Sequence, residues 1–148
     1  MAELIEVLKA VAQSGASDLH LAVGKPPMAR LHGKIIPLPG SSAISAEECE
    51  RMIYSVLSEA QRARFEERWE LDGSVTVPGS SRFRLNVFRQ KNGLGAVFRA
   101  IPTKIPTAAE IGLMPAIANL VDLPRGLVLV TGPTGSGKST TLACLIES

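Results

Sequence analysis

Two periods of apolar and polar residues run along this chain. The opening stretch, MAELIEVLKAVAQSGASD, is amphipathic at helical spacing and predicts a helix with one buried stripe. Shorter stretches then alternate or run apolar: SDLHL (Ser17 to Leu21), PPMARL (Pro26 to Leu31) and KIIPL (Lys34 to Leu38), punctuated by Gly24 and Gly33. These read as short strands joined by turns. Capping boxes pair Ser45 with Glu48, Ser58 with Gln61 and Thr107 with Glu110, and each predicts a helix start. The first two predicted helices span 46–57 and 59–67. From Glu70 to Ala100 the pattern is a strand meander, with turns at PGSS (Pro78 to Ser81) and KNG (Lys91 to Gly93).

Residues 1–100 therefore read as an α+β domain with a mostly antiparallel sheet. Three prolines, Pro102, Pro106 and Pro115, stiffen a predicted linker with short helices over 101–123. Beyond it GLVLVT (Gly126 to Thr131) is continuously apolar and mostly branched, the signature of a buried parallel strand. It would open a second, α/β domain over 124–148.

Composition narrows the class without naming it. A chain of 148 residues, 45% hydrophobic and 20% charged, suits a globular protein. The net charge of +2 is too small to point to nucleic acid, and we expect no nucleic-acid partner. The N-terminus lacks the basic start and apolar core of a signal peptide, and no apolar run approaches the ~20 residues of a membrane span. A cytoplasmic protein is expected. Cys49 and Cys144 lie far apart without ligand-spaced partners, so both read as buried, reduced thiols. His20 and His32 lack a metal-binding neighbourhood and read as polar positions on strands.

The clearest chemistry lies after GLVLVT. Gly132, four residues, Gly137, Lys138 and Ser139 fit G-x-x-x-x-G-K-[ST], the loop that wraps nucleotide phosphates. Glycines at 132, 135 and 137 bring backbone N–H groups close to phosphate oxygens without a Cβ in the way. A helix starting near Gly137 adds unpaired amides and its positive dipole end. Lys138 would place a point charge near the β and γ phosphates of ATP, and Ser139 would ligate Mg²⁺. The candidate nucleotide-binding residues are Gly132, Pro133, Thr134, Gly135, Ser136, Gly137, Lys138, Ser139 and Thr140.

A second signal is basic. Between Gly73 and Ala109 there is no Asp or Glu, yet Arg82, Arg84, Arg89, Lys91, Arg99 and Lys104 all fall there. In RFRLNVF, alternation sends Phe83, Leu85 and Val87 to one face and Arg82, Arg84 and Asn86 to the other. Arg99 falls on the strand expected to pair with it. Guanidinium groups without acidic neighbours should seek an external anion. A solvated strand face, a nucleic-acid phosphate and a nucleotide on the phosphate loop are the three readings these residues leave open.

Three segments, GASDLHLAVGKPPMARLHGKI, SRFRLNVFRQKNGLGAVFRAIP and LPRGLVLVTGPTGSGKSTTLA, together closely resemble the type IV pilus retraction ATPases, PilT-like members of the type II/IV secretion ATPase superfamily. The first segment is the more particular to the retraction branch, and Met1 just ahead of it favours retraction over extension. The resemblance implies a PAS-like N-terminal domain followed by the start of a RecA-like α/β P-loop domain. It further implies a homohexamer at the cytoplasmic face of the inner membrane, peripheral to it through a pilus-base platform protein, that hydrolyses ATP and withdraws pilin. In such motors N-terminal arginines approach the γ-phosphate; Arg84 and Arg99 match best, so that Lys138, Arg84 and Arg99 are the candidate catalytic residues, with Arg82 a third position. One departure is Gly73 after Asp72, where relatives commonly carry an aromatic residue. The family's Walker B acid, catalytic glutamate and Asp-box and His-box motifs would lie beyond Ser148. The chain accordingly reads as the N-terminal part of a P-loop ATPase, unable to hydrolyse ATP alone. The alternative is a non-catalytic interaction or oligomerisation module of a secretion or pilus-assembly ATPase, in which an uncovered GLVLVT strand would seek a partner.

Overall fold

A computed structural model describes residues 4–102, 105–133 and 135–147; Thr103, Lys104 and Thr134 lie outside the described residues. The chain divides into two compact units, Met1–Pro102 and Thr103–Ser148.

The first unit is an α+β fold. Helix α1 (Leu4–Gln13) buries Leu4, Leu8 and Val11, positions spaced by three or four residues that share one stripe. Strands β1 (Asp18–Ala22), β2 (Met28–Leu31) and β3 (Lys34–Pro37) follow. His32 and Gly33, with φ of 49° and 80°, make the two-residue connection between β2 and β3, a left-handed pair that suits the twist of a hairpin. His32 is therefore a turn residue, and the expectation that placed it on a strand fails because a hairpin this short needs positive φ at both positions.

Helices α2 (Ala46–Tyr54) and α3 (Glu59–Arg68) each open on a complete capping box, at Ser45 with Glu48 and Ser58 with Gln61. Helix α3 ends at Trp69 in a left-handed conformation (φ 57°), its amide donating to the Phe65 carbonyl. Strands β4 (Glu70–Thr76), β5 (Arg82–Gln90) and β6 (Gly93–Ile101) complete one antiparallel sheet in the order β3-β2-β1-β6-β5-β4. The first and last strands of the unit are thus neighbours at its centre. Helix α2 packs on β6 and α3 on β4. The core on this helical face includes Leu19, Leu21, Phe65, Phe83, Leu85, Val87, Ala96 and Phe98. Strand alternation leaves the opposite face polar.

Gly73 belongs to the core face of β4, opposite Leu85. A Cβ there would stand 3.1 Å from Gln61 Nε2, so α3 lies over this point and takes the space a side chain would need. The departure noted at Gly73 is thus accommodated by the capping residue of α3. Cys49 is buried, its Sγ 3.3 Å from the Leu94 carbonyl, and burial pushes its thiol up to about 11.

The second unit is irregular. Thr107 and Glu110 do form the third capping box, with Thr107 N donating to Glu110 Oε2 at 2.7 Å and Glu110 N to Thr107 Oγ1 at 3.3 Å. No α-helix propagates from it: Gly112 turns left-handed (φ 70°) and Leu113 N donates back to the Ala108 carbonyl. A short helix α4 (Pro115–Ala118), a 3₁₀ turn (Asn119–Asp122) and helix α5 (Lys138–Glu147) follow. The expected strand over Gly126–Thr131 does not form among the described residues, and Leu127 and Leu129 are 83% and 74% exposed. A parallel strand is held by hydrogen bonds to neighbouring strands, and the described residues of this unit contain no strand to supply them.

Phe98→Ala should destabilise the first unit by roughly 3–5 kcal/mol, because it removes a fully buried ring. Ile36→Ala on the exposed edge strand β3 should cost less than about 1 kcal/mol. Denaturant unfolding of the two variants checks the contrast.

Candidate functional site

On the polar face of the sheet, register lines up a row of side chains across five strands. Arg30 on β2 is opposite Asp18 on β1, Asp18 is opposite Arg99 on β6, Arg99 is opposite Arg84 on β5, and Arg84 is opposite Ser74 on β4. Asp18 is the one charged residue buried among those described, at 3% exposure. Its Oδ1 accepts from Arg99 Nε at 2.9 Å, its Oδ2 accepts from the Ser17 hydroxyl at 2.8 Å, and Arg30 Nε lies 3.1 Å from Oδ2. Burial by itself would raise the Asp18 pKa. Hydrogen bonds from Arg99 and Ser17, with the charges of Arg99 and Arg30, outweigh it and hold the carboxyl below its ordinary 3.8.

The remaining basic residues are engaged to different degrees. Arg84 is 3.8 Å from Asp72 and stays largely exposed. Arg82 donates to the Ser74 hydroxyl at 2.8 Å, and Arg89 stacks on the Trp69 ring 4.1 Å from its centroid. The acid-free window between Gly73 and Ala109 therefore does not leave Arg84 and Arg99 without acidic partners: Asp72 and Asp18, both outside the window in sequence, supply them. Lys104 lies outside the described residues. The structure brings Arg84 and Arg99 side by side as directly opposed residues, an arrangement that like charges oppose unless a counter-charge stands near. Asp18 is that counter-charge. Asp18 and Arg30 were not singled out from sequence, although alternation in SDLHL and PPMARL places both on the polar face.

His20 occupies the neighbouring row on the same face, between Met28 and Val97. Its Nε2 is buried without a hydrogen-bond partner. Burial lowers its pKa below 6.5 despite the opposing charge of Asp18, and Arg30 and Arg99 push the same way as burial.

The phosphate loop of the second unit is a site in its own right. Gly132, Gly135 and Gly137 take φ of 151°, 83° and 89°, values an L side chain rarely adopts. A Cβ on Gly132 would stand 2.7 Å from Ser136 Oγ. Ser136 N donates to the Pro133 carbonyl, and Thr141 N to the Gly137 carbonyl, which starts α5 at Lys138. The first amides of α5 therefore lack intrahelical acceptors. Lys138 Nζ donates to the carbonyls of Gly132 and Pro133, each at 2.7 Å, so the ammonium rests on the loop. Ser139 and Thr140 are exposed in the first turn of α5. Pro133 has no amide to offer a phosphate and contributes its carbonyl instead. Thr134 lies outside the described residues. The unpaired amides at the start of α5 and the positive φ values make the loop chemically suited to an anion such as a phosphate.

The family described as type II/IV secretion system protein matches residues 2–148. The type IV pilus retraction ATPase PilT of Pseudomonas aeruginosa is 48% identical over 147 residues, covering 98% of this chain and 42% of its own length. The type IV pilus ATPase PilU of the same organism is 36% identical over 144 residues, covering 97% of this chain and 37% of its own. A crystal structure of the pilus retraction motor PilT with bound ADP superposes with a TM-score of 0.82 at 40% identity, covering 99% of this chain and 43% of that one. The ATPase DotB of Legionella pneumophila shares the fold, with a TM-score of 0.80 at 24% identity over 98% of this chain and 42% of its own. The chain thus spans about two fifths of the length of these relatives.

Because the folded-state pKa of Asp18 is depressed, its contribution to stability is fully present above pH 3.8 and is lost as pH falls through the lower folded value. Unfolding of the native chain and of Asp18→Asn, followed from pH 7 to pH 2, should show a stability gap that is constant near neutrality and narrows below about pH 4.

Proposed function

The chain belongs to the type II/IV secretion system protein family, and from that premise we propose that it is the N-terminal part of a hexameric, ATP-hydrolysing motor that retracts type IV pili. The observation that carries the reading is the loop from Gly132 to Ser139, with three glycines at positive φ leading into the first turn of α5. The PilT relatives, named as a retraction ATPase and as a retraction motor with bound ADP, support the choice of reaction.

In this reading the loop amides and the start of α5 hold the phosphates of ATP. Gly132, Gly135 and Gly137 allow the close approach, while the Pro133 carbonyl keeps Lys138 within reach. Lys138 sets its ammonium against the β and γ phosphates, and Ser139 holds Mg²⁺, which neutralises phosphate charge. Arg84 and Arg99 act as fingers toward the γ-phosphate oxygens, where charge spreads in the transition state; such a finger contributes roughly 10³ to 10⁵ in rate. Residues 1–100 form the PAS-like, arginine-bearing N-terminal domain, 101–123 the connection, and 124–148 the start of the RecA-like ATPase domain.

The motor works in the cytoplasm at the inner membrane, bound there through a platform protein. Among the described residues no helix is long and apolar enough to cross a membrane.

In the full protein that carries this chain, Lys138→Ala should abolish ATP hydrolysis; undiminished turnover would overturn the assignment of the phosphate loop. Arg84→Ala and Arg99→Ala should each lower kcat by at least about 10²-fold while changing nucleotide affinity little. Steady-state kinetics with a nucleotide-binding titration separate the two effects, and proportional losses of rate and affinity would remove the finger role.

A further inference from the structure

We infer that Asp18 is a positioning residue that holds the Arg99 guanidinium in the orientation its finger role requires; the inference rests on that reading of Arg99. Two arginines share the carboxylate, and the structure distinguishes them. Arg30 is tied back within its own hairpin, where Nη1 donates to the Gly33 carbonyl at 3.3 Å, and its side chain is 37% exposed. Arg99 is 69% exposed and is anchored to Asp18 through Nε at 2.9 Å. An anchor at Nε fixes the guanidinium plane while leaving its two terminal nitrogens, the pair that recognises a phosphate oxygen fork, for an external anion.

The anchor is itself rigid. Asp18 is 4% exposed at its side chain, sits on a strand paired on both sides, and has its second oxygen held by the Ser17 hydroxyl and by Arg30. Arg99 stands directly opposite Arg84 in the β5–β6 ladder, so without the carboxylate the two cations would push Arg99 away from the strand position they share. A buried acceptor, a tethered second arginine and an exposed first arginine make a bracket for one guanidinium. A merely structural ion pair would not need this asymmetry.

The test is ATP hydrolysis by the full assembled protein in four forms: native, Asp18→Ala, Arg99→Ala and the double variant, with thermal melting of each. Asp18→Ala should lower kcat by about 10- to 100-fold, the size of effect expected when a reacting group is misplaced by an ångström, with KM for ATP changed by less than about threefold. In the Arg99→Ala background the same substitution should cost less than about twofold more, because the group it positions is already gone. Asp18→Asn, which keeps an oxygen for Nε but not the charge, should fall between native and Asp18→Ala; if Asp18→Ala does not fold, this variant takes its place in the cycle. Equal losses in both backgrounds, an unchanged kcat or a raised kcat would each overturn the positioning role. A normal kcat for Arg99→Ala would instead defeat the finger reading and this inference with it, so the two failures are told apart by that variant alone.

Discussion

A single buried carboxylate organises the polar face of the sheet. Asp18 lies on β1, between β2 and β6, and collects Arg30 from one side and Arg99 from the other. The carboxylate is buried while both arginines reach solvent, so it is Asp18 that most needs its partners: an unpaired buried charge is costly, whereas an exposed guanidinium can turn to water. The geometry also fixes register. A slip of one residue in β1 would carry Asp18 into the core and Leu19 out of it, so the hydrophobic and ionic demands select the same pairing. The meeting of the first and last strands of the unit, 81 residues apart at Asp18 and Arg99, follows from this contact as much as from the apolar face behind it.

The two faces of the sheet then take separate roles. Phe83, Leu85 and Val87 are buried on one side of β5, so that Arg82, Arg84 and Asn86 have no choice but the other. Arg84 stands out in an exposed row with Arg99 because its backbone is locked by a core it does not touch. The phosphate loop follows a different logic. Its conformation comes from glycines at positive φ, and its charge from a lysine whose partners among the described residues are two backbone carbonyls. In one place side chains are presented by rigid strands; in the other the backbone itself lines the surface.

Much of this was legible in sequence because it is local. The capping boxes at Ser45 and Ser58, the turns at 78–81 and 91–93, the inward and outward alternation of RFRLNVF and the helix start near Gly137 all depend on residues within a few positions of one another. The largest misses are non-local. The acid-free window was real as sequence and misleading as chemistry, since Asp18 and Asp72 reach Arg99 and Arg84 through strand pairing. GLVLVT has the composition of a buried strand, but strand formation depends on neighbours, and Leu127 and Leu129 remain exposed without them. At Thr107 the capping bonds formed and the helix did not, because Gly112 ends the turn that the box begins. His32 was misread for a related reason: the two-residue hairpin, not the residue's polarity, dictates its place.

In the proposed motor, arginines on the Asp18 row meet the γ-phosphate while the carboxylate still holds Arg99. The decisive experiment is a structure of the full assembled protein with ADP, Mg²⁺ and an aluminium fluoride mimic of the transferring phosphoryl group. The guanidinium groups of Arg84 and Arg99 should then lie within hydrogen-bonding distance of the fluoride ligands, with Asp18 still bonded to Arg99 Nε. Both arginines remote from the mimic in every subunit, or Arg99 at the mimic only after leaving Asp18, would refute the proposal.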